Sequence, residues 1–248
     1  MKFVTHPLIL TWLCTVALKA AVLFFLFRRG IVRTYPGLSL YLAGTIALSL
    51  FRLYCGIQSK TGYHDAYVQT QWISLLLYGV LVLDAYWAMA RRYPRVLAFA
   101  SAMAGAYGTL AAGAAWLLAG FGVPYWADSV ANAVATSRNV TLAGTLFLIL
   151  ARWWWFSSAS GVARNVHRYV NGTILLLAGQ WCVAVLFRLL GATSANINYA
   201  MYVITAAALI HWIRMDGGGE EWRRAPAPEN DPRQSLEELI RRSREMYD

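Results

Sequence analysis

The sequence predicts an all-α polytopic membrane protein: a bundle of seven transmembrane helices with its N-terminus outside and its C-terminus cytoplasmic. Three observations carry that reading. Of the 248 residues, 58% are hydrophobic and 14% charged, with 11 Trp and a mean hydropathy of +0.45. A soluble domain runs nearer ~45–50% apolar and ~25% charged, so lipid is the expected solvent. Seven stretches have the ~20 apolar residues that about 30 Å of hydrocarbon requires. Basic residues gather at alternate ends of those stretches, the signature of a fixed orientation.

The first span, Pro7–Phe27, is too long for a signal-peptide core and runs into Arg28-Arg29, so it is expected to be a retained anchor. The second and third are Pro36–Tyr54 and Tyr67–Ala90. The fourth, Val96–Phe121, carries Ser101, Gly105, Thr109 and Gly113 at every fourth position, with Ala104, Gly108 and Ala112 in a parallel row. Small residues at that spacing let helix backbones approach closely in lipid. That face serves either packing within the monomer or a homodimer. The fifth span, Val130–Phe156, closes on Trp153-Trp154-Trp155, read as an interfacial aromatic belt. Tyr169–Leu190 and Ile197–Met215 complete the set.

Residues 1–215 therefore form a transmembrane domain and residues 216–248 a cytoplasmic tail. Gly217-Gly218-Gly219 and Ala225-Pro-Ala-Pro228 read as a flexible linker. Ser235-Leu-Glu-Glu238 is a capping box opening a short amphipathic helix with Leu236, Leu239 and Ile240 on one face. Thirty-three residues are too few for a kinase, cyclase or nucleotide-binding domain.

Residues 1–215 hold 16 Lys and Arg against three acids, whereas the tail holds six Arg against nine acids. The high pI of about 9.8 does not indicate nucleic acid, because the positives sit at span ends rather than on a soluble face. Sixteen of them fall on the side of Arg28, Arg91, Arg152 and the tail, and four (Lys2, Arg52, Lys60 and Arg188) on the other. That bias sets the orientation. Cys14, Cys55 and Cys182 read as small apolar residues, and no spacing suggests zinc. No metal site, cofactor or catalytic constellation is expected.

Charges inside spans are costly and mark function by default. Lys19 lies nine residues before Arg28 and Asp84 seven before Arg91. At 1.5 Å per residue these are depths of roughly 13 and 10 Å from one edge, so a Lys19–Asp84 pair is expected, serving either helix register or a proton or ion relay. Toward the outer half, Arg138 and Asn139 lie about two turns into the fifth span. Tyr67, Gln71, Ser74 and Tyr78 share one face of the third. Gln180 lies at mid-depth in the sixth, and Asn198, Tyr202 and Thr205 lie in the seventh. Facing inward, these make a pocket in which Arg138 partners an anionic group. As glue, they would be interhelical hydrogen bonds with Arg138 snorkelling outward. Arg52, Arg188 and Asp65 mark the outer rim.

Several sharper functions are excluded. A microbial rhodopsin needs a lysine midway along its last helix, and the lysines here are Lys2, Lys19 and Lys60. Intramembrane hydrolysis needs paired aspartates or a nucleophile with its base, and Asp84 has no acidic companion in any span. Leu50-Phe-Arg-Leu53 is echoed by Leu186-Phe-Arg-Leu189, and Trp87 by Trp212, so spans one to three and five to seven read as parallel repeats. Some sugar transporters use that three-plus-one-plus-three plan, but their proline-glutamine signature is missing here.

The expected function is a non-catalytic, receptor- or sensor-like protein of a bacterial inner membrane. It would bind a small or lipidic ligand, anionic in one version, through Arg138, Asn139, Gln71, Ser74, Tyr78, Gln180 and Tyr202. A small-solute transporter and an accessory or scaffold subunit of a larger complex are the alternatives. Expected partners are the bilayer, a second copy through Ser101, Gly105, Gly108 and Gly113, and a protein docking on residues 231–248.

Overall fold

The computed structural model describes residues 7–58, 62–91, 101–106, 108, 109, 113, 129–157, 164–190 and 195–216. Side chains at 7–9, 63, 64, 129–138, 154–157, 184, 186–190 and 195–199 are not described. Every regular element among the described residues is helical. In order they are α1 (Pro7–Arg28), a 3-10 turn (Ile31–Arg33), α2 (Pro36–Gln58) and α3 (Gly62–Ala90). Then come α4 (residues 101–106), α5 (Ser129–Ser157), α6 (Arg164–Leu190) and α7 (Ala195–Ile213). The chain divides into two units, Met1–Gly217 and Gly218–Asp248. The second unit, with the expected tail helix, lies outside the described residues, as does most of the predicted fourth span.

The helix limits follow from local chemistry. Arg28 places a cation in the last turn of α1, where the helix dipole favours it. Gly30 then adopts φ 70, the left-handed turn that ends helices cheaply only at glycine. The chain reverses through the 3-10 turn, and α2 starts on Pro36, whose fixed φ suits the first helical position.

Among the described residues, three helices are long and apolar enough to cross a membrane: Leu10–Arg28, Pro36–Gln58 and Asp65–Ala90. Asn139–Trp153 and Ala200–Ile213 are shorter apolar helices. The exterior suits hydrocarbon. Trp72, Leu76 and Leu83 make an exposed stripe along α3, and Phe24, Phe27, Leu146, Ile149 and Leu150 are exposed on α1 and α5. Apolar surface on this scale would be a liability in water.

The helices pack as a closed ring: α1 on α2, α2 on α3, α3 on α5, α5 on α6, α6 on α7, and α7 back on α1. α3 also packs on α6 across the ring, leaving a five-helix loop of α1, α2, α3, α6 and α7 on one side. The apolar core fills one end of the bundle. Leu26, Leu38, Leu81, Leu148, Leu177 and Trp212 are all essentially inaccessible there. This same end carries Arg29, Arg91 and Arg168, which bind the Met215 carbonyl, the Thr34 carbonyl and the Asp216 carboxylate.

Two hairpins within the ring are built alike. Gly37 and Gly44, seven apart on α2, lie against Asp84 and Leu77 on α3. Gly172 and Gly179, also seven apart on α6, lie against Trp212 and Ile204 on α7. A methyl group at Gly44 would sit 2.7 Å from Leu77 Cδ1, and one at Gly172 2.5 Å from Trp212 Nε1, closer than packed atoms tolerate. Both hairpins therefore close through glycine notches. Exchanging α1–α3 with α5–α7 maps the ring of contacts onto itself.

Candidate functional site

Beyond the apolar core, the five-helix loop lines a partly open cavity of about 160 Å³. On α1 it is lined by Trp12, Thr15, Val16 and Lys19, at i, i+3, i+4 and i+7. On α2 it is lined by Tyr41, Thr45, Leu48, Ser49 and Arg52, again one helical face. α3 contributes Ser74 and Tyr78, α6 contributes Gln180, and α7 contributes Met201, Tyr202 and Thr205. Hydroxyl and amide groups thus meet two cations, and among the described residues no carboxylate lines the cavity.

Arg52 is held in place by neutral partners. Its Nε donates to Thr70 Oγ1 at 2.8 Å and its Nη2 to Ser74 Oγ at 2.9 Å. Its guanidinium carbon lies 4.7 Å from the centre of the Tyr67 ring, a cation–π contact. Thr70 passes its own proton to the Ala66 carbonyl at 2.6 Å, so its oxygen is free to accept from Arg52. Tyr41 and Tyr78 pack ring to ring at 5.7 Å and form one wall. Thr205 back-bonds to the Met201 carbonyl, satisfying its hydroxyl within α7.

Four of the residues expected to form the pocket, Ser74, Tyr78, Gln180 and Tyr202, meet around this cavity. Gln71 and Asn139 are buried but do not line it. Arg138 falls on α5 with its side chain outside the described residues; the described cations at the cavity are Lys19 and Arg52. Reading Arg52 as a rim residue followed from ending the second span at Tyr54; α2 continues to Gln58 and carries Arg52 inside the bundle. The face of α2 is legible in the sequence as a polar row in an apolar span: Tyr41, Thr45, Ser49 and Arg52.

The expected Lys19–Asp84 pair is not formed. Asp84 Oδ2 accepts from the backbone N–H groups of Gly37 at 3.1 Å and Leu38 at 3.4 Å, and from Tyr169 Oη at 2.9 Å. Its Oδ1 lies 3.8 Å from Arg91 Nη2. The carboxylate on α3 therefore caps the N-terminus of α2, which has no Ser, Thr, Asp or Asn of its own at the cap position. Equal depth was right for neither partner's contact, because α1 packs on α2 and α7 rather than on α3.

At the core end, polar side chains gather the residues that leave α7. Arg29 Nη1 donates to the carbonyls of Ile213 at 2.7 Å and Met215 at 2.6 Å. Asn165 exchanges two hydrogen bonds with the Asp216 backbone, and Arg168 binds both the Arg214 carbonyl and the Asp216 carboxylate. Ser101 and Gly105 on α4, and Gly108 and Gly113 beyond it, are exposed, and an added methyl at any of the three glycines would touch nothing among the described residues. No group of three or more His, Cys, Asp or Glu able to hold a metal occurs among the described residues. No protein-family model, curated protein or solved structure matches the chain.

Proposed function

We propose that the chain is a seven-span integral membrane protein, N-terminus outside and C-terminus cytoplasmic, of a bacterial inner membrane. It acts without catalysis, as a receptor- or sensor-like protein that binds a small ligand inside the bundle. The observation that carries this reading is the cavity itself. Five apolar helices bring twelve polar, cationic or aromatic side chains to one cavity of about 160 Å³, where lipid-facing helices have no structural need for them. The anchoring of Ile213–Asp216 supports a sensing role. The anchors follow α1 or lie on α6, both of which line the cavity, so a ligand that shifts those helices acts on the start of the tail.

Native mass spectrometry of the protein released from native-membrane nanodiscs tests the reading. A monomer carrying one defined small mass is expected. A bare monomer at all release energies contradicts it, and stoichiometric extra chains would make the protein a subunit of a complex.

One observation favours a second reading, transport of the small solute. The two glycine-notched hairpins, with the ring contacts that interchange when the halves are swapped, would suit parallel repeats that rock about a shared site. Solute flux in proteoliposomes, abolished by filling the cavity, separates transport from sensing.

A further inference from the structure

We propose that this cavity takes a small organic anion, one oxyanion head on a short apolar body, held by Lys19 and Arg52. The claim rests on the binding reading above and names its ligand class. Lys19 lines the cavity, and among the described residues its ammonium has no hydrogen-bond or ion-pair partner. Arg52 lines the same cavity, and its partners Thr70, Ser74 and Tyr67 are all neutral. Two positive charges therefore face one cavity with no carboxylate among the described residues to balance them.

The three acids among the described residues are placed elsewhere. Asp84 caps α2 beside Arg91. Asp216 binds Arg168. Asp65 opens on a separate notch with Phe51, Cys55 and Gln58. Burying like charges without a counter-ion is among the costliest arrangements in a low-dielectric interior, and an oxyanion between them removes that cost. The head group suits carboxylate or phosphate equally, since ammonium and guanidinium both donate to oxyanions through charge-assisted bonds.

Size and lining define the remainder. A dry cavity of roughly 150 Å³ takes a molecule the size of benzene, and this one is about 160 Å³. Trp12, Val16, Leu48 and Met201 supply apolar wall, which a bare inorganic ion would leave unused.

The test uses the full chain in detergent and chloride-free buffer, with benzoate, phenyl phosphate, benzamide, inorganic phosphate and chloride as probes. Binding is followed by thermal unfolding and by titration calorimetry. Benzoate or phenyl phosphate is expected to raise Tm and to bind at least ten-fold more tightly than neutral benzamide. Lys19→Met is expected to weaken that binding by roughly 10- to 150-fold, the range for one charge-assisted bond. The same variant should raise the Tm of the empty protein, because it removes an unbalanced charge, so loss of folding does not confound it. Arg52→Gln is expected to weaken binding in the same way.

Benzamide binding as tightly as benzoate overturns the proposal, and so does benzoate binding unchanged in both variants. An equal Tm rise from chloride or inorganic phosphate would mark a bare-ion site and also overturn it. If no anionic probe binds while mass spectrometry still finds a neutral adduct, the anion proposal falls and the binding reading stands. If neither is found, both fall.

Discussion

Asp84→Ala should unfold this protein more readily than any conservative change at the same position, and the structure says by how much. The carboxylate satisfies three donors: the N–H groups of Gly37 and Leu38 at the start of α2, and the Tyr169 hydroxyl. A buried donor left without an acceptor costs about 1–3 kcal/mol. Two well-made bonds and one long one therefore sum to roughly 3–5 kcal/mol for Asp84→Ala. Asp84→Asn keeps a carbonyl oxygen for those donors. It loses the interaction of charge with the helix dipole, about 0.3–1 kcal/mol, and a half-exposed Arg91 contact worth about 0–1 kcal/mol, for a total near 1–2 kcal/mol. Tyr169→Phe removes one donor, so Asp84→Ala in that background should cost about 1–2 kcal/mol less than in the parent. SDS-driven unfolding followed by tryptophan fluorescence reads all four proteins. Asp84→Ala within about 0.5 kcal/mol of the parent would refute the capping account, as would Asn proving as damaging as Ala.

The glycine notches make a second prediction. Gly179→Ala places a methyl against Ile204 and should destabilise by about 1–3 kcal/mol, with Ile204→Ala recovering part of the loss in the double variant. Arg29→Ala combined with Arg168→Ala should release Ile213–Asp216 and speed trypsin cleavage at Arg214 several-fold; unchanged cleavage would mean that these contacts do not hold the segment. In a background lacking Cys14, Cys55 and Cys182, an impermeant maleimide applied to intact cells should label Gln58→Cys and spare Arg33→Cys. The reverse pattern would invert the proposed orientation.

The limits of the sequence are instructive at particular residues. Helix starts and stops were legible because Pro36, Gly30 and the basic pairs act locally, and α1, α2, α3, α5, α6 and α7 begin and end within a few residues of the expected limits. Ser74, Tyr78, Gln180 and Tyr202 converge because a polar face in an apolar helix has one place to turn, and periodicity reveals it. Lys19 and Asp84 were mispaired because sequence supplies depth along a span but not which spans are neighbours. With α2 between α1 and α3, Lys19 turns to the cavity and Asp84 to the backbone of α2. The cap itself was readable in part: α2 begins without a capping side chain, and a helix start in lipid must find an acceptor. The doubled seven-residue glycine spacing was present in the sequence, but only the contacts with Leu77 and Ile204 give it meaning.

The most direct test of the cavity as a binding site is a cryo-EM structure of the protein taken from its native membrane without added ligand. Density for a non-protein group within hydrogen-bonding distance of Lys19 Nζ and Arg52, and absent from the Lys19→Met protein, is the predicted result. A cavity holding only water in both proteins, or one closed by collapse of Tyr78 and Met201 into the space, would contradict it.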